Sequence, residues 1–292
     1  MPTPRAPDAF GISKERAERP TRVLASRLRA LRAPALLLRR ILPSYGRMAD
    51  RLLSDAIERC ATRAAKGWLI AGAHPQSPSF PNMDVVARCA RLGNAELLVW
   101  LGACGANPAK PGSDNWTPMH HASAKGHATA IHALAAAGAD IAAKANHGFT
   151  PMIIACKENR VDAIEALCSL GASIDDPDAR GEPPLLLCSR RGLEEAARTL
   201  LAHGARVDLT ERRGFQAIHL AASQGYDGIC LALIEAGADP DAPGPWSKTP
   251  VAIARAEGHA STLALIERAL LLRSFPAEPA ARLGARRSAS RL

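Results

Sequence analysis

Aromatic residues are scarce in this 292-residue chain: five Phe, four Trp and two Tyr, 4% in all. A core built on large rings is therefore not expected. The apolar 47% is mostly Ala and Leu, which suits small helices packed closely together. No run of 18 or more apolar residues occurs, so no transmembrane helix is expected. The seven cysteines are scattered, odd in number and free of any CxxC pair. That usage argues against a disulfide framework and for a reducing compartment, which points to the cytoplasm. Neither a GxxxxGK-Ser/Thr nor a GxGxxG phosphate loop is present, and neither a Ser-centred nucleophile elbow nor HExxH occurs. No catalytic residue, cofactor or metal is assigned, and an enzyme is not expected.

The net charge is +9, but it is unevenly placed. Residues 1–49 hold eleven Lys/Arg against three Asp/Glu, and residues 273–292 hold five Arg against one Glu. Residues 50–272 are left with −3. The basic balance belongs to the two ends, which argues against a nucleic-acid-binding fold.

What the chain does have is a period. Gly-Ala recurs at Gly105-Ala106, Gly138-Ala139, Gly171-Ala172, Gly204-Ala205 and Gly237-Ala238, in steps of 33 residues. Thr117-Pro118, Thr150-Pro151 and Thr249-Pro250 share that period; Pro183-Pro184 and Gln216-Ala217 fill the intermediate slots. Gly126, Gly192, Gly225 and Gly258 form a third marker, with Asn159 as its exception. The markers have a physical reading. Thr117 suits a helix N-cap and Pro118 the first helical position, where a missing amide costs nothing. The helix should stop near Gly126, a second should run from about Ala128 to Ala137, and Gly138 should end it in a left-handed turn. Such a unit is too small to bury its own core and must stack on its neighbours.

The tract from Asn115 to Ser123 with Gly126-His127 and Gly138-Ala139-Asp140 resembles the ankyrin repeat, as does Gly214 to Ala222 with Gly225 and Gly237-Ala238-Asp239. The resemblance covers about residues 50–272. It implies an all-α solenoid of six to seven helix–turn–helix units with hairpin loops, whose hairpin tips and first helices line a concave side. We read 50–81 as a degenerate N-terminal cap, 82–245 as five repeats and 246–273 as a C-terminal cap. Pro183 should leave its helix uncapped, and Ser247 stands where a hairpin Gly is expected.

The family binds other proteins through that concave side, so a protein partner is expected. Carried onto this chain, the position before each Thr slot holds Trp116, Phe149, Glu182, Phe215 and Lys248, all expected to be exposed. The middle of the strip is rich in arginine: Arg180, Arg190, Arg191, Arg212 and Arg213, with Trp246 at its far end. Aromatic and Arg residues anchor many interfaces, so these residues are expected to hold an acidic segment with an apolar anchor. In the competing reading the arginines form a solvated face and the aromatics pack on neighbouring hairpins.

His120, His121, His127 and His132 have the look of a metal cluster. However, His120 and His127 occupy family positions that hydrogen-bond within the stack, and no Cys or carboxylate completes a ligand set. Cys89 and Cys188 share a small-residue slot and read as packing, while Cys156 and Cys168 lack a basic activator. Outside the repeats, residues 1–20 read as disordered. Residues 21–42 carry Leu24, Leu28, Leu31, Ala35, Leu38 and Leu42 on one helical face, interrupted at Pro34. Three readings of this helix compete: docked on the N-terminal cap, lying on an anionic membrane surface, or serving as an organelle-targeting or translocation signal. The tail 274–292, with Arg282, Arg286, Arg287 and Arg291, reads as basic and disordered. Binding of the two ends to a membrane surface or an acidic polymer is the alternative function.

Overall fold

The 33-residue register is a register of backbone hydrogen bonds. In the computed structural model, which describes residues 35–36, 43–75 and 83–274, each Gly-Ala pair closes the second helix of a repeat. After the helix Ala128–Ala136, Gly138 takes φ +88° and donates to the Ala135 carbonyl at 3.0 Å, while the Ala139 amide donates to Leu134 at 3.0 Å. These two bonds satisfy carbonyls that the helix end leaves over. The same two bonds recur at Gly171-Ala172, Gly204-Ala205 and Gly237-Ala238. The exception in the other marker does the same work: Asn159 adopts φ 52°, a conformation Asn tolerates better than most residues.

Helix starts are fixed by the Thr slot and the histidine three residues on. The Thr117 amide donates to Nδ1 of His120 at 3.2 Å, and the Thr117 hydroxyl lies 2.8 Å from the same nitrogen. With Nδ1 accepting, Nε2 carries the proton and donates to the Phe149 carbonyl of the next hairpin at 2.9 Å. His219 repeats the arrangement, accepting from the Gln216 amide at 3.3 Å and donating to the Ala242 carbonyl at 3.0 Å. Thr150 and Thr249 cap more simply, through their hydroxyls, to the amides of Ile153 and Ala252. Pro183 makes no side-chain cap, as its chemistry requires.

Among the described residues fourteen α-helices form seven consecutive pairs, joined by short loops and hairpins, and β pairing is confined to isolated bridges such as Thr210 with Gln216. They divide between Ala179 and Arg180 into two compact units. The first holds α1 (Pro43–Glu58), α2 (Thr62–Ile70), α3 (Val85–Leu92), α4 (Ala95–Ala103), α5 (Pro118–Lys125), α6 (Ala128–Ala136), α7 (Pro151–Lys157) and α8 (Val161–Ser169). The second holds α9 (Pro184–Arg191), α10 (Glu194–Ala202), α11 (Ala217–Gln224), α12 (Asp227–Glu235), α13 (Pro250–Ala256) and α14 (Ala260–Ser274).

Stacking runs in two layers. In the first unit α3, α5 and α7 pack in series, as do α4, α6 and α8; in the second, α9, α11 and α13 form one row and α10, α12 and α14 the other. The seam between rows is the core. It contains Met119, Ile131, Leu134, Ile153, Ile164 and Leu167 in the first unit and Leu185, Leu200, Ile218, Ile229 and Leu233 in the second. Each such side chain contributes about 1.5–3 kcal/mol on leaving water. The rings missing from the composition are not needed here, because Ala122, Ala155 and Ala221 let adjacent first helices approach.

Helix α1 starts inside the segment assigned to the basic N-terminus, so the boundary drawn between 49 and 50 falls within a helix. Pro43 opens it, and Ala49, Leu53, Ala56 and Ile57 give it one buried face. Ala35 lies against the loop at Gly72, where an added Cβ would come within 3.0 Å of the Ala35 carbonyl oxygen. The rest of the helix expected over 21–42, residues 1–20 and the tail beyond Ser274 lie outside the described residues. At the other end α14 runs past the length of other second helices, and Arg273 reaches back to Asp239 at 2.6 Å. Among the described residues no helix is long and apolar enough to cross a membrane.

Candidate functional site

The hairpin tips at 114–115, 147–148 and 246–247 share one turn geometry. The Gly112 amide donates to the Trp116 carbonyl at 2.8 Å, and the Trp116 amide donates to Ser113 at 3.1 Å. The two central residues, Asp114 and Asn115, both have positive φ (57° and 61°), so the turn is of the mirror-image kind that suits a two-residue hairpin. His147-Gly148 and Trp246-Ser247 occupy the equivalent places with the same sign of φ. Gly148, Gly181 and Gly214 supply the second position in the three middle tips.

In the first unit the two expected anchors are not open. Trp116 is half-buried, its ring 5.1 Å from that of His121 and 6.0 Å from that of His120. Phe149 is half-buried as well, with the Lys157 ammonium 4.9 Å from its ring centre. Both were expected to be exposed. They are not, because each side chain turns along its own first helix, Trp116 onto His120 and His121 and Phe149 toward Lys157. The two histidines left unexplained by sequence also find places. His121 packs on Trp116, and burial, with Arg91 and His120 nearby, pushes its pKa down to about 4. His132 lines an open hollow of about 550 Å³ between α6 and α8 with Asp162 and Glu165. Among the described residues no group of His, Cys, Asp or Glu is placed to hold a metal ion. Burial pushes the thiols of Cys168 and Cys230 up, the latter to about 12, which disfavours the thiolate that a nucleophile requires.

The second unit holds the rest of the strip. Arg180, Arg191, Arg212 and Arg213 are exposed at hairpin tips or at the end of α9. Arg190 differs from the expectation: it is ion-paired to Glu182, whose side chain is only 6% exposed. Glu182 was expected on the surface. The local cause is Pro183, which gives α9 no side-chain cap; a carboxylate beside the helix start favours the positive end of the helix, and Arg190 offsets its burial. Arg190 is therefore committed within the fold. Glu182→Gln should lower stability by about 1–2 kcal/mol in urea unfolding, because it leaves Arg190 without its counter-charge. An unchanged midpoint would mean the pair contributes nothing.

Phe215 is half-buried and Trp246 is 80% exposed. Their rings meet edge to face, 6.3 Å apart, so the second unit carries an aromatic pair with one ring open to solvent. The backbone brings these tips together in order. A Cβ on Gly181 would sit 3.3 Å from the Arg212 side chain, and one on Gly214 would sit 3.5 Å from Pro245. Arg213 and Trp246 thus occupy neighbouring tips.

Charge in this unit is sorted by layer. Residues 180–274 hold eleven Lys/Arg and eleven Asp/Glu. The hairpins and first helices (180–192, 210–225 and 244–258) take seven of the bases and three of the acids. The second helices and their loops take four bases and eight acids. Sequence reading found the arginines but not this partition, which appears only once each residue is assigned to a layer. Lys248, exposed beside Trp246, belongs to the basic side.

Stacked helix pairs that present a row of hairpin tips define a helical repeat protein of the interaction-module class. A family model that spans three ankyrin repeats matches residues 86–178 and again 170–244, and the chain belongs to the ankyrin-repeat family. Among solved structures it is similar to the ankyrin-repeat domain of Bcl-3, described as a unique member of the IkappaB protein family: TM-score 0.65, 21% identity, 74% of this chain and 97% of that one covered. That likeness is one of fold. A comparison with curated proteins finds no match. Ankyrin repeats generally mediate protein–protein interaction.

Proposed function

We propose that the chain is a non-catalytic adaptor or scaffold that binds an acidic segment of a partner protein across the hairpins and first helices of its second unit. The partition of charge carries this reading: residues 180–274, with no formal net charge, concentrate their bases on the layer that presents the tips. A local cationic face on a neutral body steers an acidic protein segment without the broad positive field that a nucleic-acid surface needs. Arg191, Arg212 and Arg213 make the charged contacts, with Arg180 at the near edge and Lys248 at the far one. Arg190 supports the surface through Glu182 rather than touching the partner. We also read α1–α2 and α13–α14 as the capping pairs of the stack.

The test is a random-peptide display selection on the full-length protein. Peptides rich in Asp and Glu should be enriched, and Arg191→Glu with Arg213→Glu should weaken them at least about tenfold, equivalent to about 1.4 kcal/mol. Enrichment of basic peptides, or acidic peptides indifferent to the double reversal, would overturn the reading.

A further inference from the structure

The tip at Trp246-Ser247 departs from its register mates in a way that its own packing does not explain. Asp114-Asn115 and His147-Gly148 place at their turn centres residues that accept positive φ with little penalty, and Gly181 and Gly214 do so as well. Trp246 and Ser247 hold φ 55° and 56°, and neither belongs to that set. A bulky residue in this region is an outlier. Such strain persists where the surroundings impose it and clusters at ligand-binding places. Here the strained residue is a tryptophan left 80% exposed, the most exposed of the large apolar side chains described. Its burial therefore stabilises the fold little. What the conformation does achieve is placement: the indole stands at the tip, its edge or face set against Phe215 at 6.3 Å, with Arg213 on the neighbouring tip and Lys248 two residues on.

We propose that the Trp246–Phe215 pair is the specificity-determining anchor of this surface, taking one aromatic or large aliphatic side chain of the partner that lies within a few residues of the carboxylates read by Arg212 and Arg213. The proposal rests on the acidic-segment reading above and adds to it the partner's second requirement. The ligand is then an acidic segment carrying an apolar residue on one flank, rather than an acidic segment of any composition. An exposed indole beside a half-buried ring offers a flat apolar contact that loses its water when a partner covers it, the kind that dominates interface energies.

The strain makes the proposal testable from two sides. Ser247→Gly relieves the turn and leaves the indole in place; the melting temperature should rise by about 2–4 °C and peptide binding should not change. Trp246→Gly relieves the turn and removes the anchor. Its melting temperature should not fall, and the peptides selected on the parent protein should bind it at least about tenfold more weakly. A fresh selection on Trp246→Gly should still return Asp- and Glu-rich peptides but without the apolar flank. If that flank persists, the anchor is elsewhere and this proposal fails while the acidic-segment reading stands. If the parent protein selects no acidic peptides, both fail. A loss of thermal stability in Ser247→Gly would overturn the strain argument. Tight binding of a single-stranded oligonucleotide that is lost in Trp246→Gly would assign the indole to base stacking and overturn the proposal.

Discussion

Gly225→Ala should destabilise the second unit by about 3–4 kcal/mol, while Gly204→Ala should cost only about 1 kcal/mol. Both glycines have positive φ, +73° and +86°. The cost of placing any other residue in that conformation is common to both. What differs is the neighbour. A Cβ on Gly204 would meet nothing within 4 Å, whereas one on Gly225 would fall 2.7 Å from Nδ1 of His259. That ring has little room to move, because its Nε2 bonds to the Ser223 carbonyl at 3.2 Å and so ties the start of α14 to the end of α11. The clash therefore falls on the interface between two consecutive repeats. In a stack held by nearest-neighbour interfaces, the damage should localise: hydrogen exchange should accelerate in α13 and α14 before it does in α9 and α10. Equal losses for the two variants in urea unfolding would show that the His259 contact is unimportant. Uniform acceleration of exchange would argue against a local interface defect.

The sequence made this interface half visible. Every Gly-His or equivalent pair could be counted along the chain, and the counting located the turns, the helix ends and the period. It did not show that the residue after one glycine packs onto the glycine of the preceding repeat, as Tyr226 does on Gly192 and His259 on Gly225. Periodicity reports the spacing of equivalent places; contacts between successive places need the stack. The same limit explains the candidate surface. Arg191, Arg212, Arg213 and Trp246 were legible because repeat register assigns them to tips and helix ends. Glu182 was misplaced because register says nothing about a side chain's direction once Pro183 replaces the capping Thr. Trp116 and Phe149 were misplaced because an aromatic ring at that slot can lie along the helix, covering the first-turn histidine in one case and meeting Lys157 in the other. The partition of charge in the second unit went unseen because a net charge summed over 50–272 averages the two layers.

Acidification should weaken the fold well above the range in which carboxylates titrate. Burial holds His120, His121 and His219 below the ordinary imidazole pKa of 6.5, His121 at about 4. A histidine whose pKa is lower folded than unfolded binds more protons in the unfolded chain. Its neutral form is at no disadvantage above about pH 6.5, and stability is lost as pH falls from there toward the folded pKa. Each such histidine contributes a slope approaching about 1.4 kcal/mol per pH unit, and His121 alone accounts for about 3 kcal/mol by pH 4. For His120 and His219 the chemistry behind the shift is explicit. Their Nδ1 atoms accept from the amides of Thr117 and Gln216, so protonation there turns an accepting nitrogen into a donor facing a donor and breaks a helix start. Their Nε2 bonds to Phe149 and Ala242 survive protonation, which opposes the shift without cancelling it. The melting temperature should therefore be level from pH 8 to 7 and fall steadily from 6.5 to 5, a window in which Asp and Glu at their ordinary pKa values have barely begun to protonate. His121→Gln should flatten part of that fall and leave the remainder, because it removes one titrating group while His120 and His219 stay buried. A melting temperature that holds level down to pH 5 would mean that these rings are solvated in the protonated state, and the hydrogen-bonded histidine at the start of the first helix would then be a convenience of packing rather than what sets the acid limit of the stack.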